Sequence, residues 1–334
     1  MRSNRWIGAV LAAVAMVAVA CGDDDDSPTV SGGGQSSDTT VPAPTFAAGT
    51  TMANLQSKGR IVVGVKFDQP GLGQKNPTTN QVEGFDVEIA KLIAVGIYGG
   101  SVNDIESKIE FREATTPNRE IFIENGTVDM VVATYTINDA RKQRIDFAGP
   151  YYVAGQDIMV KRDNNTIKGV NDLAGTKTCS VRNSTPAANI KRLVPTAELT
   201  EFDQYSDCVQ ALRDGRVQSV TTDNSILLGF VAGSPNEFKI VGNKFTEEPY
   251  GIGVRKGDDA FRNFINDRLE AIYASGEWAR AFDATLGRLG IPVPAPPRVD
   301  RYTSGGAAAT TSTSTGATTT TSTRPSTTTS TTRA

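Results

Sequence analysis

Short apolar runs alternate with amphipathic segments between residues 60 and 286, and this alternation limits the fold more than any other feature. The run RIVVGV at 60–65 is continuously apolar after its arginine and reads as a buried strand. Residues 84–97 put Phe85, Ile89, Leu92 and Ile93 on one helical stripe, with Asp86, Glu88 and Lys91 off it. Strand-like runs follow at 108–112, 128–133 and 144–147, and Pro117 and Gly126 bracket a helix between the first two. A second series starts after Tyr152. Its strands are expected at 156–161, 177–181, 198–202, 217–221, 239–241 and 250–254, and its helices at 186–193, 205–214, 225–232, 258–275 and 277–286. Strands separated by helices pair in parallel, so the expectation is α/β with mostly parallel sheets. Ligands of such sheets lie beyond the carboxyl ends of the strands.

The two ends of the chain read differently. Arg2 and Arg5 precede an apolar run at 7–19, too short to span a bilayer and shaped like a secretory signal. It ends in AVAC at 18–21, which resembles a lipoprotein signal with Cys21 as the acylated residue, except that Ala18 stands where Leu is usual. The expectation is a signal peptide at 1–20 and a protein held at the outer face of the cell membrane through lipid on Cys21. Residues 21–52 are poor in apolar side chains and are expected to be a disordered tether. Residues 299–334, rich in Thr and Ser, are expected to be a disordered tail with sites for O-linked sugar.

Setting Cys21 aside leaves Cys179 and Cys208, an even pair in an exported chain, which reads as a disulfide. Closing that loop stabilises the fold by about 3.6 kcal/mol in the chain-entropy treatment. The chain has no His. That excludes Ser-His and Cys-His hydrolases and His-containing zinc sites. A net charge of −3 gives no basic field for nucleic acid. No cofactor and no metal are expected. Glu247-Glu248 and Asp258-Asp259 are adjacent pairs that read as solvated charge.

Charged residues recur where strands are expected to end. Lys66 follows RIVVGV, Arg119 lies in TTPNRE, Arg141 follows DMVVATYTINDA, and Arg182 follows KTCSV. Asp223 follows VQSVTT. Asn138 or Asp139 can cap a short helix with Arg141 in its first turn. A cation there opposes the helix dipole, so it makes sense as a fork for a carboxylate, flanked by the Thr134 and Thr136 hydroxyls and by free amides. If the five charges share one crevice, Arg141 holds one carboxylate and Asp223 an ammonium. Lys66, Arg119 or Arg182 is then left for a second carboxylate. Several cations and one acid complement a dicarboxylic amino acid of net charge −1. Trp278 reads as core.

Several stretches together resemble one family. They are VGVKFDQPGLG (63–73), GFDVEIAKLIA (84–94), TTPNREIFIENGTVDMVVATYTINDARKQRIDFAGPYY (115–152), NDLAGTKTCSV (171–181) and EPYGIGVRKGD (248–258). The chain resembles the extracytoplasmic solute-binding proteins of polar amino-acid ABC importers, family 3, and within them the glutamate/glutamine-binding lipoproteins of actinobacteria. The resemblance implies a two-lobed type II periplasmic-binding fold, each lobe a mostly parallel sheet flanked by helices, joined by two hinge strands. Lobe 1 would be 53–152 plus 248–298 and lobe 2 would be 153–247, with hinges near 153–156 and 247–249. It implies Arg141, Thr134 and Thr136 at the α-carboxylate, Asp223 at the α-ammonium, and Lys66 and Arg119 facing the distal group, with Thr116 also expected in the site. Thr185 would be a second-lobe contact, and Arg182 stands where relatives also carry a cation.

The function expected is capture of an acidic amino acid, glutamate with aspartate or glutamine as alternatives. The ligand is delivered by a monomer to ABC permease subunits without chemistry. Two other readings share the fold: a sensor for a membrane signalling partner, and a cleft enzyme such as a dehydratase. The enzyme would need a general acid, for which Glu83, Glu113 and Glu248 are candidates.

Overall fold

The computed structural model describes residues 41–302. The expected signal peptide, Cys21 and the tail beyond residue 302 lie outside them. The chain enters through α1 (Thr51–Lys58), which Thr50 caps by accepting from Ala53 N and which ends at Gly59 with φ 75°. β1 (Ile61–Val65) is buried at every position, as its apolar run requires. A three-stranded sheet follows, made of β2 (Asp68–Gln69), β3 (Gly73–Lys75) and β4 (Val82–Glu83). Next come α2 (Phe85–Tyr98), β5 (Ile109–Glu113), α3 (Arg119–Glu124), β6 (Met130–Val131), α4 (Asp139–Lys142) and the long β7 (Ile145–Ala154).

The second lobe holds β8 (Gln156–Lys161), β9 (Lys177–Val181), α5 (Thr185–Leu193), β10 (Glu198–Phe202), α6 (Tyr205–Arg213), β11 (Ser219–Asp223), α7 (Asn224–Gly233) and β12 (Phe238–Ile240). The chain then returns to the first lobe through β13 (Glu248–Arg255), α8 (Asp259–Ala274) and α9 (Glu277–Ala284).

The first sheet has the order β5-β1-β6-β13-β7 and the second β10-β9-β11-β8-β12. Four strands of each sheet run the same way, and β13 and β8 are the reversed ones. These two are the strands by which the chain enters each sheet from the other. An antiparallel neighbour needs no helical crossover, so a strand arriving directly from another sheet can take that place. β7 and β13 lie side by side, with Ala154 opposite Glu248, and the chain passes between sheets at Gly155 and at 241–247.

The first-lobe core centres on Phe85. Its ring meets Tyr151, Tyr152, Trp278 and Phe282 at centroid distances of 5.2–6.1 Å. Burying one such side chain contributes about 1.5–3 kcal/mol. The Trp278 indole donates to Tyr151 O at 2.8 Å, which satisfies its one polar atom. In the second lobe Cys179 and Cys208 are bonded, with Cα atoms 5.5 Å apart, tying β9 to α6.

Both expected boundaries move outward. The tether expected through residue 52 is packed on the first lobe from residue 41. Val41 N donates to Gly100 O at 2.9 Å, and Phe46 meets Phe264 edge-on at 5.3 Å. The tail expected from residue 299 is held through residue 302. Val299 is buried, Asp300 N donates to Gly149 O at 2.8 Å, and Arg301 pairs with Asp267 and Glu270. Composition misled in both places because single apolar anchors suffice for a segment lying on a finished surface. No helix among the described residues is long and apolar enough to cross a membrane.

Candidate functional site

The carboxyl ends of β1, β5 and β6 face those of β9 and β11 across a nearly closed gap of about 10 Å³. That is room for about one water, far below the 300–1,000 Å³ usual for ligand pockets, so the two walls stand almost in contact. It is lined from the first lobe by Thr116, Arg119, Thr134, Thr136 and Arg141, and from the second by Ser184, Thr185, Tyr205, Thr222 and Asp223.

Arg141 sits on α4 because Asn138 caps that helix, its side chain accepting from Arg141 N at 2.9 Å. The guanidinium donates to Thr136 O at 2.6 Å and to Asn183 O of the second lobe at 3.3 Å. Its Nε lies 3.4 Å from Glu120 Oε1. Arg119 donates to Ala133 O at 2.9 Å and to Thr134 O at 3.2 Å. Both guanidiniums pack on the Tyr135 ring, with the Arg119 and Arg141 guanidinium carbons 4.1 and 4.9 Å from its centroid. An aromatic ring in contact with both cations lowers the cost of holding them out of water. Burial first, and Arg119 second, bring the Arg141 pKa down to about 10.

Lys66 is buried and donates to Thr116 Oγ1 at 2.8 Å. Burial and the Arg119 charge push its ammonium well below the ordinary lysine range. Thr134 adopts φ +44°, a left-handed conformation rare outside glycine. Asp86 holds it there, accepting from Thr134 N at 2.8 Å and from the Tyr151 hydroxyl at 2.7 Å. Burial raises Asp86 to about 6.

From the second lobe, Asp223 ends β11 and opens α7. Its Oδ2 accepts from the Tyr250 hydroxyl at 2.6 Å, while Oδ1 is buried and has no hydrogen-bond partner among the described residues. Burial first, then Glu248, raise Asp223 to about 7. Thr185 Oγ1 donates to Glu248 Oε2 at 2.7 Å and lies 3.3 Å from Thr136 Oγ1 across the gap.

Eight of the nine expected residues therefore meet at one place, Lys66 through Thr116. Arg182 does not. Its side chain is 52% exposed and pairs with Asp203 on the outer surface. Successive side chains at a strand end face opposite ways. Asn183 then takes φ +60° and turns Ser184 and Thr185 toward the gap instead.

The charge count is also corrected. Glu248, expected to be solvated, is 2% exposed and accepts from Thr185, Asn189 and Thr246. Glu120 and Asp86 are buried too, so Asp223 is not a lone acid. Glu248 leaves a faint trace in sequence: it is the first inward position of the alternation that continues through Tyr250 and Ile252. Glu120 and Tyr135 leave none.

Residues 61–287 match the bacterial extracellular solute-binding proteins, family 3. The glutamate-binding protein GluB of Corynebacterium glutamicum is 38% identical over 296 residues, 86% of this chain and 92% of that one. The ABC transporter glutamine-binding protein GlnH of Bacillus subtilis is 39% identical over 229 residues, 68% of this chain and 81% of that one. Among solved structures, an ancestral arginine-binding protein bound to glutamine is similar at a TM-score of 0.63 and 35% identity, covering 69% of this chain and 98% of that one.

Proposed function

The chain belongs to family 3 of the bacterial extracellular solute-binding proteins, amino-acid-binding receptors, and from that premise we propose that it captures glutamate and delivers it to the permease subunits of an ABC importer. In this reading lipid on Cys21 holds the protein at the outer face of the membrane. The carrying observation is the pairing of Arg141 on one wall with the unpartnered Asp223 Oδ1 on the other. The Arg141 fork takes the α-carboxylate, with the Thr136 and Thr185 hydroxyls beside it. Asp223 Oδ1 takes the α-ammonium. Lys66, Thr116 and Arg119 then lie toward the distal carboxylate. A neutral distal group leaves those cations buried without a counter-charge from the ligand, at a cost of a few kcal/mol. The passages at Gly155 and before Glu248 serve as hinges, and closure buries the ligand.

Glutamine is a second reading. It is supported by Glu120 and Glu248, which already offset two positive charges, and by the glutamine-binding relative. Titration calorimetry of the full chain against the twenty amino acids decides between them. Glutamate is expected to bind on the order of micromolar, which corresponds to about −8 kcal/mol. Tighter binding of glutamine would reject the acidic ligand, and binding of no amino acid would reject the transport reading.

A further inference from the structure

A helix of the second lobe takes its N-terminal cap from the first. The leading residue of α6, Gln204, makes no side-chain bond to the helix's own amides among the described residues. Instead Asp68 Oδ2, on β2, accepts from Tyr205 N at 2.9 Å and from Ser206 N at 3.2 Å. The first amides of a helix lack internal acceptors, and its dipole favours an anion at that end, so a carboxylate is well matched to this place. The Gln204 side chain reaches across as well, donating to Glu113 of β5.

A second contact forms at Pro70, two residues beyond Asp68. Gly229 lies inside α7, where glycine costs roughly 1 kcal/mol against alanine. A Cβ at Gly229 would stand 2.2 Å from Pro70 O, closer than real Cβ atoms come, and 3.0 Å from Pro70 C. The helix itself has no need of the glycine; the carbonyl of the opposite lobe does. Neither Asp68 nor Gly229 lines the gap, yet α6 supplies Tyr205 to it and α7 supplies Ile226.

We propose that residues 68–70 form a seat for α6 and α7, and that Asp68 and Gly229 are positioning residues that set ligand affinity by fixing how far the lobes close. This rests on the reading of the gap as an amino-acid site. In an open form Asp68 would lose both amides and Gly229 would face no carbonyl, so both contacts count only when the lobes meet. Closure is thus favoured by groups that line no part of the gap, and affinity follows the closed fraction.

The test uses the full chain with D68A, D68N and G229A, read by calorimetry with L-glutamate and L-glutamine and by inter-lobe distances between paired spin labels, with and without each amino acid. D68A is expected to weaken binding about two- to thirtyfold, the range of a lost cap, mainly through faster dissociation. D68N, which still accepts from the two amides, recovers most of this. G229A is expected to weaken binding at least tenfold and to reduce the closed fraction, while raising the melting temperature of the ligand-free chain, because alanine favours the helix. A merely structural role would move stability and affinity together; opposite movement is the signature. Variants with the wild-type closed fraction, or a wild type that never closes in either condition, would overturn the seat. A wild type that closes but binds neither amino acid would overturn the ligand assignment alone.

Discussion

The two walls of the gap are built in opposite ways. On the first-lobe wall each cation already has partners of its own lobe: Lys66 has Thr116, Arg119 has two carbonyls although its Nε has no partner among the described residues, and Arg141 has Thr136 O. Tyr135 and Asp86 stiffen that wall from behind. On the second-lobe wall Asp223 keeps one buried oxygen without a partner among the described residues, and Thr185 reaches across toward Thr136. The difference suggests an order of events. A ligand docks first on a wall whose geometry is fixed in advance, and the second wall closes on it. Preorganised cations set what is recognised; the incomplete acid makes closure depend on an ammonium.

The largest effect is expected at the fixed wall. Arg141→Ala removes the α-carboxylate fork and leaves Glu120 without its nearest cation, a change worth about 3–5 kcal/mol. Calorimetry should show glutamate affinity falling by two or more orders of magnitude. Near-wild-type affinity would remove Arg141 from the site.

Asp223→Asn comes next and separates the walls. It should weaken glutamate binding by about two orders of magnitude, since a hydrogen-bonded charge left unpaired costs roughly 1–3 kcal/mol. It should also raise the melting temperature of the ligand-free chain at pH 8. The sign follows from Asp223 having its folded pKa raised to about 7, above its ordinary value of 3.8. Between those values the folded chain holds more protons than the unfolded one, so this carboxyl's contribution to stability falls as pH rises toward 7. Asparagine removes that penalty. Binding an ammonium needs the ionised form, so glutamate affinity of the wild type should rise with pH through about 7 and release a proton. Flat affinity from pH 5.5 to 8 would contradict the assignment.

Lys66→Ala and Arg119→Ala sharpen the comparison within the fixed wall. Each should cost glutamate about tenfold more than glutamine, and equal losses would reject the distal-carboxylate role. The smallest effect belongs to Thr185→Val, the neutral reach of the closing wall. Its hydroxyl donates to the buried Glu248 carboxylate, and a hydrogen bond to a charged group is worth about 1.5 kcal/mol at the low end, so a loss of about tenfold is expected, chiefly in dissociation.

Much of the fold could be read from residue order. The run at 61–65 and the apolar positions of α2 were sufficient because burial acts on them locally, but α2 is buried on more than one face, and Asp86, expected off the stripe, is buried as well. α1 escaped notice because only Met52 and Leu55 of its eight residues are buried. The site was legible as positions, since strand ends converge in this architecture, but not as directions. Whether a side chain after a strand turns inward depends on single left-handed residues such as Thr134 and Asn183, and this separated Thr185 from Arg182. Glu248 looked like its neighbour Glu247 because the inward phase of β13 begins two residues earlier than its apolar run. The cap on α6 and the glycine of α7 concern residues more than a hundred positions apart, and no local pattern announces them.

The most direct test is whether one ligand must bridge the two walls. Calorimetry of the full chain at pH 7.5 should compare L-glutamate with glutarate, which lacks the α-ammonium, and with 4-aminobutanoate, which lacks the α-carboxylate. Glutamate is expected to bind at least about a hundredfold more tightly than either, since each analogue leaves one buried charge, Asp223 or Arg141, without its partner. Glutarate binding as tightly as glutamate would contradict a ligand held between Arg141 and Asp223.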